Sequence, residues 1–380
     1  MTSKLRNPML MIPGPMDAPE EILRRCGHQV FPHYDADTGF PEFHNNLVEK
    51  LKVVFGLEDG NVFVPSGSGT LAVNMALASL CTPDEEVLII SNGCLREYAQ
   101  KNLDCLGVPY TFVEDEWGRA IDPEKVRDAM KKNPCKFIYM THNESSTAVV
   151  NQITPIGEIA HEFDALLIVD SISGIAGVVV DMGVNGADIV AGASQKCFEL
   201  PPGLAPMAVS SRAWEYIDTM KNRHVPFYLD VKSWKNAYID MHDEHPQPVT
   251  GNTNYLYALD WSVDRIIEEG ILNRQERFRA AGNRLRKGME SLGFRMSAHP
   301  DDASPVVTDF YAPEGCLGND VRNYFLSEHD TMIGAGFAYR DDDGNALTFR
   351  VAHFGLAAET KRIDHVIDIA EKFVRERGIG

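Results

Sequence analysis

The spacing of hydrophobic and polar residues changes along the chain, and the changes outline a fold. Short, continuous apolar runs recur at residues 62–64, 86–90, 108–113, 136–141, 166–169, 188–191 and 206–209. Runs of this length without alternation predict strands buried on both faces. Helical spacing falls between most of them. Leu47, Val48, Leu51, Val54 and Phe55 share one face of a predicted helix over 43–55, and 70–80 is apolar nearly all round. Strands alternating with helices predict an α/β fold built on a mostly parallel sheet.

After residue 250 the pattern changes. A helix near 254–269 stops at Gly270, and a basic amphipathic one near 272–292 stops at Gly293. Strand-like runs at 305–311 and 346–352 follow, then a last helix with Ile363, Val366, Ile367, Ala370 and Val374 on one face. This predicts a smaller α+β domain. The division is an N-terminal arm over 1–20, a large domain over 21–252 and a small C-terminal domain over 253–380. Ile12-Pro13-Gly14-Pro15 excludes helix or central strand in the arm, and a first helix starts near Pro19. No repeat or long linker interrupts the chain, so the domains are expected to pack closely.

Composition narrows the class. The 380 residues are 44% hydrophobic and 24% charged, which suits a soluble enzyme with a sizeable core. A net charge of -19 argues against nucleic-acid or anionic-membrane partners. No apolar run approaches the ~20 residues of a membrane helix, and the run at 9–12 is too short for a secretory signal. The seven cysteines contain no CxxC pair, which indicates reduced thiols in a cytoplasmic setting and gives no reason to expect a metal.

Three features carry candidate chemistry. Pro65-Ser66-Gly67-Ser68-Gly69-Thr70 joins a predicted strand to a predicted helix. Glycine backbone, hydroxyl donors and a helix N-terminus together can cradle a phosphate. A tight turn without ligand reads equally well from this stretch alone. Gly67 to Ala72 also fits the dinucleotide pattern, but the next strand ends Ser91-Asn92-Gly93 without the acid that holds a ribose. No lysine follows the glycines, so it is not a P-loop. Asp170 closes the run Leu166-Leu167-Ile168-Val169, and Lys196 follows the run ending at Ala191, just before Pro201-Pro202-Gly203. A lone lysine is ordinarily a solvated surface residue. Placed at the carboxyl ends of strands in one sheet, however, Lys196 and Asp170 face one crevice, and desolvation lowers the amine's pKa. Pyridoxal 5'-phosphate needs all three features: a lysine for its aldehyde, donors for its phosphate and a carboxylate for its ring nitrogen.

The sequence resembles class V aminotransferases of fold type I, nearest the alanine–glyoxylate and serine–pyruvate group. The resemblance covers nearly the whole chain. It rests on Ile12-Pro13-Gly14-Pro15, Ser66-Gly67-Ser68-Gly69, Asn92-Gly93, Thr141-His142-Asn143-Glu144-Ser145-Ser146-Thr147, Val169-Asp170-Ser171, Ser194-Gln195-Lys196, Pro201-Pro202-Gly203-Leu204 and Phe349-Arg350-Val351-Ala352-His353-Phe354-Gly355. It implies that Lys196 carries the cofactor and shuttles a proton, and that Asp170 pairs with the ring nitrogen. It further implies that Ser68, Gly69, Thr70 and Gln195 bind the phosphate and that Ser146 lies on the ring's hydroxyl side. Arg350 would grip the substrate α-carboxylate. Thr250 would reach the neighbouring subunit's phosphate, implying a homodimer with shared sites. The implied reaction moves an amino group from alanine or serine to glyoxylate or pyruvate.

The sequence departs from the family at three places. Leu95 occupies the position of a ring-stacking aromatic residue, with Tyr98 one turn on as a substitute. Gln247 stands where a tyrosine often supports the phosphate, and an acidic insertion over 35–39 follows Pro32-His33-Tyr34. Two alternative functions stand beside this one. Cysteine desulfuration needs a mobile cysteine, yet the C-terminal part of the chain offers only Cys316, and Gln195 replaces the histidine usual before that lysine. A non-enzymatic nucleotide-binding protein on the same fold is the other, and visible absorbance separates it.

Overall fold

The structure is a computed structural model describing residues 6–33, 36–221 and 224–379. Among the described residues the principal sheet has seven strands, in the spatial order Gly60–Phe63, Met207–Ser210, Ile189–Ala191, Leu166–Asp170, Phe137–Thr141, Val87–Ser91, Tyr110–Glu114. Met207–Ser210 runs antiparallel to both neighbours, and the other six strands share one direction.

The continuous apolar runs have a direct cause. Leu88, Ile90, Ile138, Met140, Leu167 and Val169 enter the core on one face, while Val87, Ile89, Phe137, Tyr139, Leu166 and Ile168 enter the core on the other. Both faces are covered, so neither set can be polar. The nearly all-apolar helix Gly69–Leu80 is buried in the second core. Helices Phe40–Phe55 and Thr253–Glu269 contribute to the first. Helix Thr253–Glu269 therefore packs with the large sheet through Leu256, Leu259, Val263 and Ile266.

A second sheet has the order Met9–Met11, Thr331–Ala335, Thr348–Ala352, Val307–Tyr311. Its inner side joins helices Ile271–Ser291 and Thr360–Arg377 around Phe310, Phe349, Val351, Leu285 and Val366. The strands Met9–Met11 and Thr331–Ala335 were not expected. Each is short, and the arm strand stops just before Ile12-Pro13-Gly14-Pro15. The buried stripe of the last helix is Ile363, Val366, Ile369, Ala370 and Phe373. It is turned slightly from the expected one: Ile369 and Phe373 are fully buried, while Ile367 and Val374 pack against the core only partly buried. No helix among the described residues is long and apolar enough to cross a membrane.

Candidate active site

The carboxyl ends of three strands line up, with Thr141, Asp170 and Ala191 as register partners. Asp170 is buried there. Its Oδ1 accepts from the Ile172 N–H at 2.9 Å and its Oδ2 from the Tyr139 hydroxyl at 3.2 Å. Burial nevertheless pushes its pKa up to about 6, because two donors replace bulk water only in part. Behind it the buried imidazole of His142 meets Ser171 Oγ at 2.9 Å, and burial lowers that ring's pKa to about 4.

Lys196 follows Ala191 in a turn that leads to the extended Pro201-Pro202-Gly203. Its amine donates to the Pro13 carbonyl of the N-terminal arm. Burial lowers the amine's pKa to about 8, and the Arg350 charge acts in the same direction. The arm can approach this closely only because residue 14 is glycine. At φ +111° a Cβ there would lie 2.6 Å from Lys196 Cδ and Nζ.

The predicted phosphate cradle adjoins this pair. Ser68 is the N-cap of helix Gly69–Leu80, but its side chain makes no capping hydrogen bond. The Leu71 N–H donates to the Ser68 carbonyl at 2.8 Å, which leaves the Ser68 hydroxyl and the Gly69 and Thr70 N–H groups available to an anion. A Cβ on Gly69 would sit 2.7 Å from Ala193 Cβ and 2.8 Å from Ile172 Cγ1. The first helical turn thus rests against the segments bearing Lys196 and Asp170. Gln195 Oε1 is buried and has no hydrogen-bond partner among the described residues. Turned over, the same amide presents an N–H instead, so Gln195, the residue before the lysine, can serve as a donor. Phosphate oxygens fit this donor set. Thr250 stands exposed nearby, two residues before Asn252, whose N–H donates to Ser66 Oγ at 2.8 Å.

A third group approaches from the opposite side. Ser146 Oγ accepts from the Cys94 N–H at 2.9 Å and donates to Glu144. Glu144 also accepts from the N–H groups of Ser146 at 3.0 Å and Leu95 at 3.3 Å. Burial raises its pKa to about 7. Arg350, on the strand Thr348–Ala352, reaches across from the small sheet. Its Nε donates to the Ala335 carbonyl and its Nη1 to the Ser145 carbonyl, each at 3.1 Å. It makes no ion pair with any described residue, so its charge is available to an anionic ligand.

Residues 33–336 match the family described as aminotransferase class-V. The chain belongs to the class V aminotransferases. It is 32% identical to an uncharacterized aminotransferase of Methanocaldococcus jannaschii, over 97% of this chain and 93% of that protein. It is 28% identical to the serine–glyoxylate aminotransferase of Hyphomicrobium methylovorum, over 98% of this chain and 91% of that one. The alanine–glyoxylate aminotransferase structure from Nostoc sp. superimposes with a TM-score of 0.91 at 24% identity, over 99% of this chain and 97% of that one. The α/β fold is therefore that of fold type I pyridoxal-phosphate enzymes, and the protein is a transaminase.

In this aminotransferase Lys196, Asp170, Gly69, Ser146 and Arg350 meet beyond the carboxyl ends of the central strands of the large sheet, with Ser68, Thr70 and Gln195 adjoining them in sequence. Several residues at the site were not singled out from the sequence. Tyr139 was read as one more apolar strand residue. Glu144, Pro13 and Gly14 lay inside motifs that carry the resemblance, without a role of their own. The earlier arm–lysine contact spans 183 positions, and no local pattern reports it. Tyr98 is solvent-exposed with Lys101 6.0 Å from its ring centroid. Of the entry loop, Tyr34 and Asp35 lie outside the described residues, and 36–38 form a short 3-10 helix. Cys316 packs against the core of the small sheet.

Proposed function

We propose that this aminotransferase uses pyridoxal 5'-phosphate, held by Lys196, to move an amino group from serine or alanine to glyoxylate or pyruvate. The observation that carries this reading is the meeting of a desolvated Lys196 and a buried Asp170 with a helix N-terminus, whose Gly69 rests against Ala193 and Ile172. Ser68, Gly69, Thr70 and Gln195 hold the phosphate, Asp170 holds the ring nitrogen, and Ser146 lies on the ring's hydroxyl side. The bound cofactor supplies an electron sink for the carbanion at the substrate α-carbon.

The chain's own residues do the rest. Lys196 Nζ, with a pKa brought near the working range, takes and returns the proton at the α-carbon. Burial of Tyr139 raises its pKa well above the usual value, so its hydroxyl stays a donor to Asp170. Arg350 binds the α-carboxylate through its planar fork. The small-substrate preference is supported by what the Hyphomicrobium relative is named for. Thr250 completes the phosphate site of a second copy, which makes the working unit a homodimer.

The test is to follow the visible absorption of the purified holoenzyme while single amino acids are added, then single 2-oxo acids. Serine or alanine should discharge the band, and glyoxylate or pyruvate should restore it. A response only to bulky or dicarboxylic amino acids contradicts the proposal.

A further inference from the structure

The outer face of the small sheet, opposite its core, holds an unusual polar group. Asp309 and Arg350 are direct register partners on the antiparallel strands Val307–Tyr311 and Thr348–Ala352. Opposed residues of an antiparallel pair project from the same face. On the other side of Arg350 its register partner is Gly334, which carries no side chain. The guanidinium leans over that gap to the Ala335 and Ser145 carbonyls. It makes no ion pair with Asp309, its nearest cross-strand neighbour.

Asp309 is fully buried, and neither of its carboxyl oxygens has a hydrogen-bond partner among the described residues. The Ser297 and Thr348 hydroxyls lie near enough to favour its charge, but neither meets hydrogen-bond geometry. Thr348 Oγ1 and the Tyr339 hydroxyl are also buried without partners. Buried polar atoms are ordinarily satisfied. Four orphaned oxygens on Asp309, Thr348 and Tyr339 are therefore unexplained by folding alone.

We propose that Asp309 is a positioning residue for Arg350: ionised, it draws the guanidinium's charge away from the substrate carboxylate, and protonated, it releases it. The proposal rests on the reading of Arg350 as the α-carboxylate clamp. Burial raises the Asp309 pKa to about 7, so both states are populated near neutral pH. The other groups facing this region are Tyr311 and Tyr339 on the small-sheet side, with Arg295 4.1 Å from the Tyr311 ring centroid. Glu116 acts on Tyr339, and Glu144 and Cys94 approach Arg350 from the large sheet. Glu144 also titrates near 7, but its oxygens already accept from Ser146 and Leu95. The hydroxyls near Asp309, those of Ser297 and Thr348, fall outside hydrogen-bond geometry and hold its charge less firmly, so its proton should respond most to an anion arriving at Arg350.

The experiment is calorimetric titration of the holoenzyme with propionate, a non-reacting monocarboxylate, between pH 6 and 8. The proteins are wild type, Asp309→Asn, Glu144→Gln and Arg350→Ala. Wild-type affinity should fall over this range by roughly tenfold more than that of Asp309→Asn, the size expected for two charges a few ångströms apart in a partly solvated site. The cofactor's own titration is common to both proteins and cancels in the ratio. Binding to wild type at pH 7 should also take up a fraction of a proton, measured in buffers of different ionisation enthalpy. Glu144→Gln should retain that uptake. The uptake should be smaller in Asp309→Asn, and Asp309→Ser takes that variant's place in both readouts if Asp309→Asn does not fold. No uptake in wild type, loss of uptake in Glu144→Gln, or a wild-type pH profile in Asp309→Asn overturns the proposal. Arg350→Ala should bind weakly at every pH. If it binds as tightly as wild type, the clamp reading itself fails, which is a distinct result.

Discussion

Replacing Gly14 by alanine tests whether the N-terminal arm sets the position of Lys196. The added Cβ would lie 2.6 Å from Lys196 Cδ and Nζ and 2.9 Å from Cε, at φ +111°. A non-glycine residue in so sparsely populated a conformation costs about 1–3 kcal/mol. Overpacking against the lysine adds about 1–3 kcal/mol. The total is a large part of the ~5–15 kcal/mol that stabilises a typical fold, so the variant should fold with a lowered Tm. The arm is pinned, since Met9–Met11 pairs with Thr331–Ala335. A lysine terminus is the softer partner, and the steric share should therefore fall on the amine. That share corresponds to about five- to 150-fold weaker cofactor binding. The assay is cofactor affinity from visible absorption, alongside thermal melting of the apoprotein. Wild-type affinity together with a wild-type Tm would refute the reasoning, and lowered Tm with intact affinity would show that the arm yields instead.

Three further outcomes follow from the site. For Asp170, a folded-state pKa raised from 3.8 to about 6 means stability present at acidic pH and lost as pH rises through 6. Apo Asp170→Asn should gain on wild type between pH 4 and 7 by up to ~3 kcal/mol, while the holoenzyme loses most turnover; a pH-independent difference in melts would contradict this. Arg350→Ala should lower kcat/KM for serine and alanine by roughly thirtyfold to several thousandfold, from ~2–5 kcal/mol for an unpaired carboxylate. Arg350→Lys should recover only part, and an equal loss for a decarboxylated analogue would make the residue structural. Mixing Lys196→Ala subunits with Thr250→Ala subunits should restore activity in hybrid dimers, and no recovery after demonstrated subunit exchange would remove Thr250 from the shared site.

Much of the fold was legible because the large sheet is buried on both faces. That arrangement leaves continuous apolar runs, and Asp170 and Lys196 stand out as charges at or just beyond their ends. Arg350 was legible for a related reason. Phe349 and Val351 enter the core of the small sheet, so the alternation places Arg350 on the opposite face. The strand Met9–Met11 could not be read, because three residues carry no period and its partner Thr331–Ala335 is more than three hundred positions away. Asp309 was hidden within a strand whose neighbours are buried, and its pairing with Arg350 depends on register rather than composition. Glu144 and Tyr139 owe their place to strand ends meeting in space. Their side chains alone resemble ordinary satisfied polar groups.

The central claim is that Lys196 carries pyridoxal 5'-phosphate. The most direct measurement is borohydride reduction of the purified yellow protein, followed by proteolysis and mass spectrometry. The account predicts a single pyridoxyl adduct on Lys196, and no adduct in a Lys196→Ala variant. A colourless protein that takes up no added cofactor, or an adduct on another lysine, would contradict it.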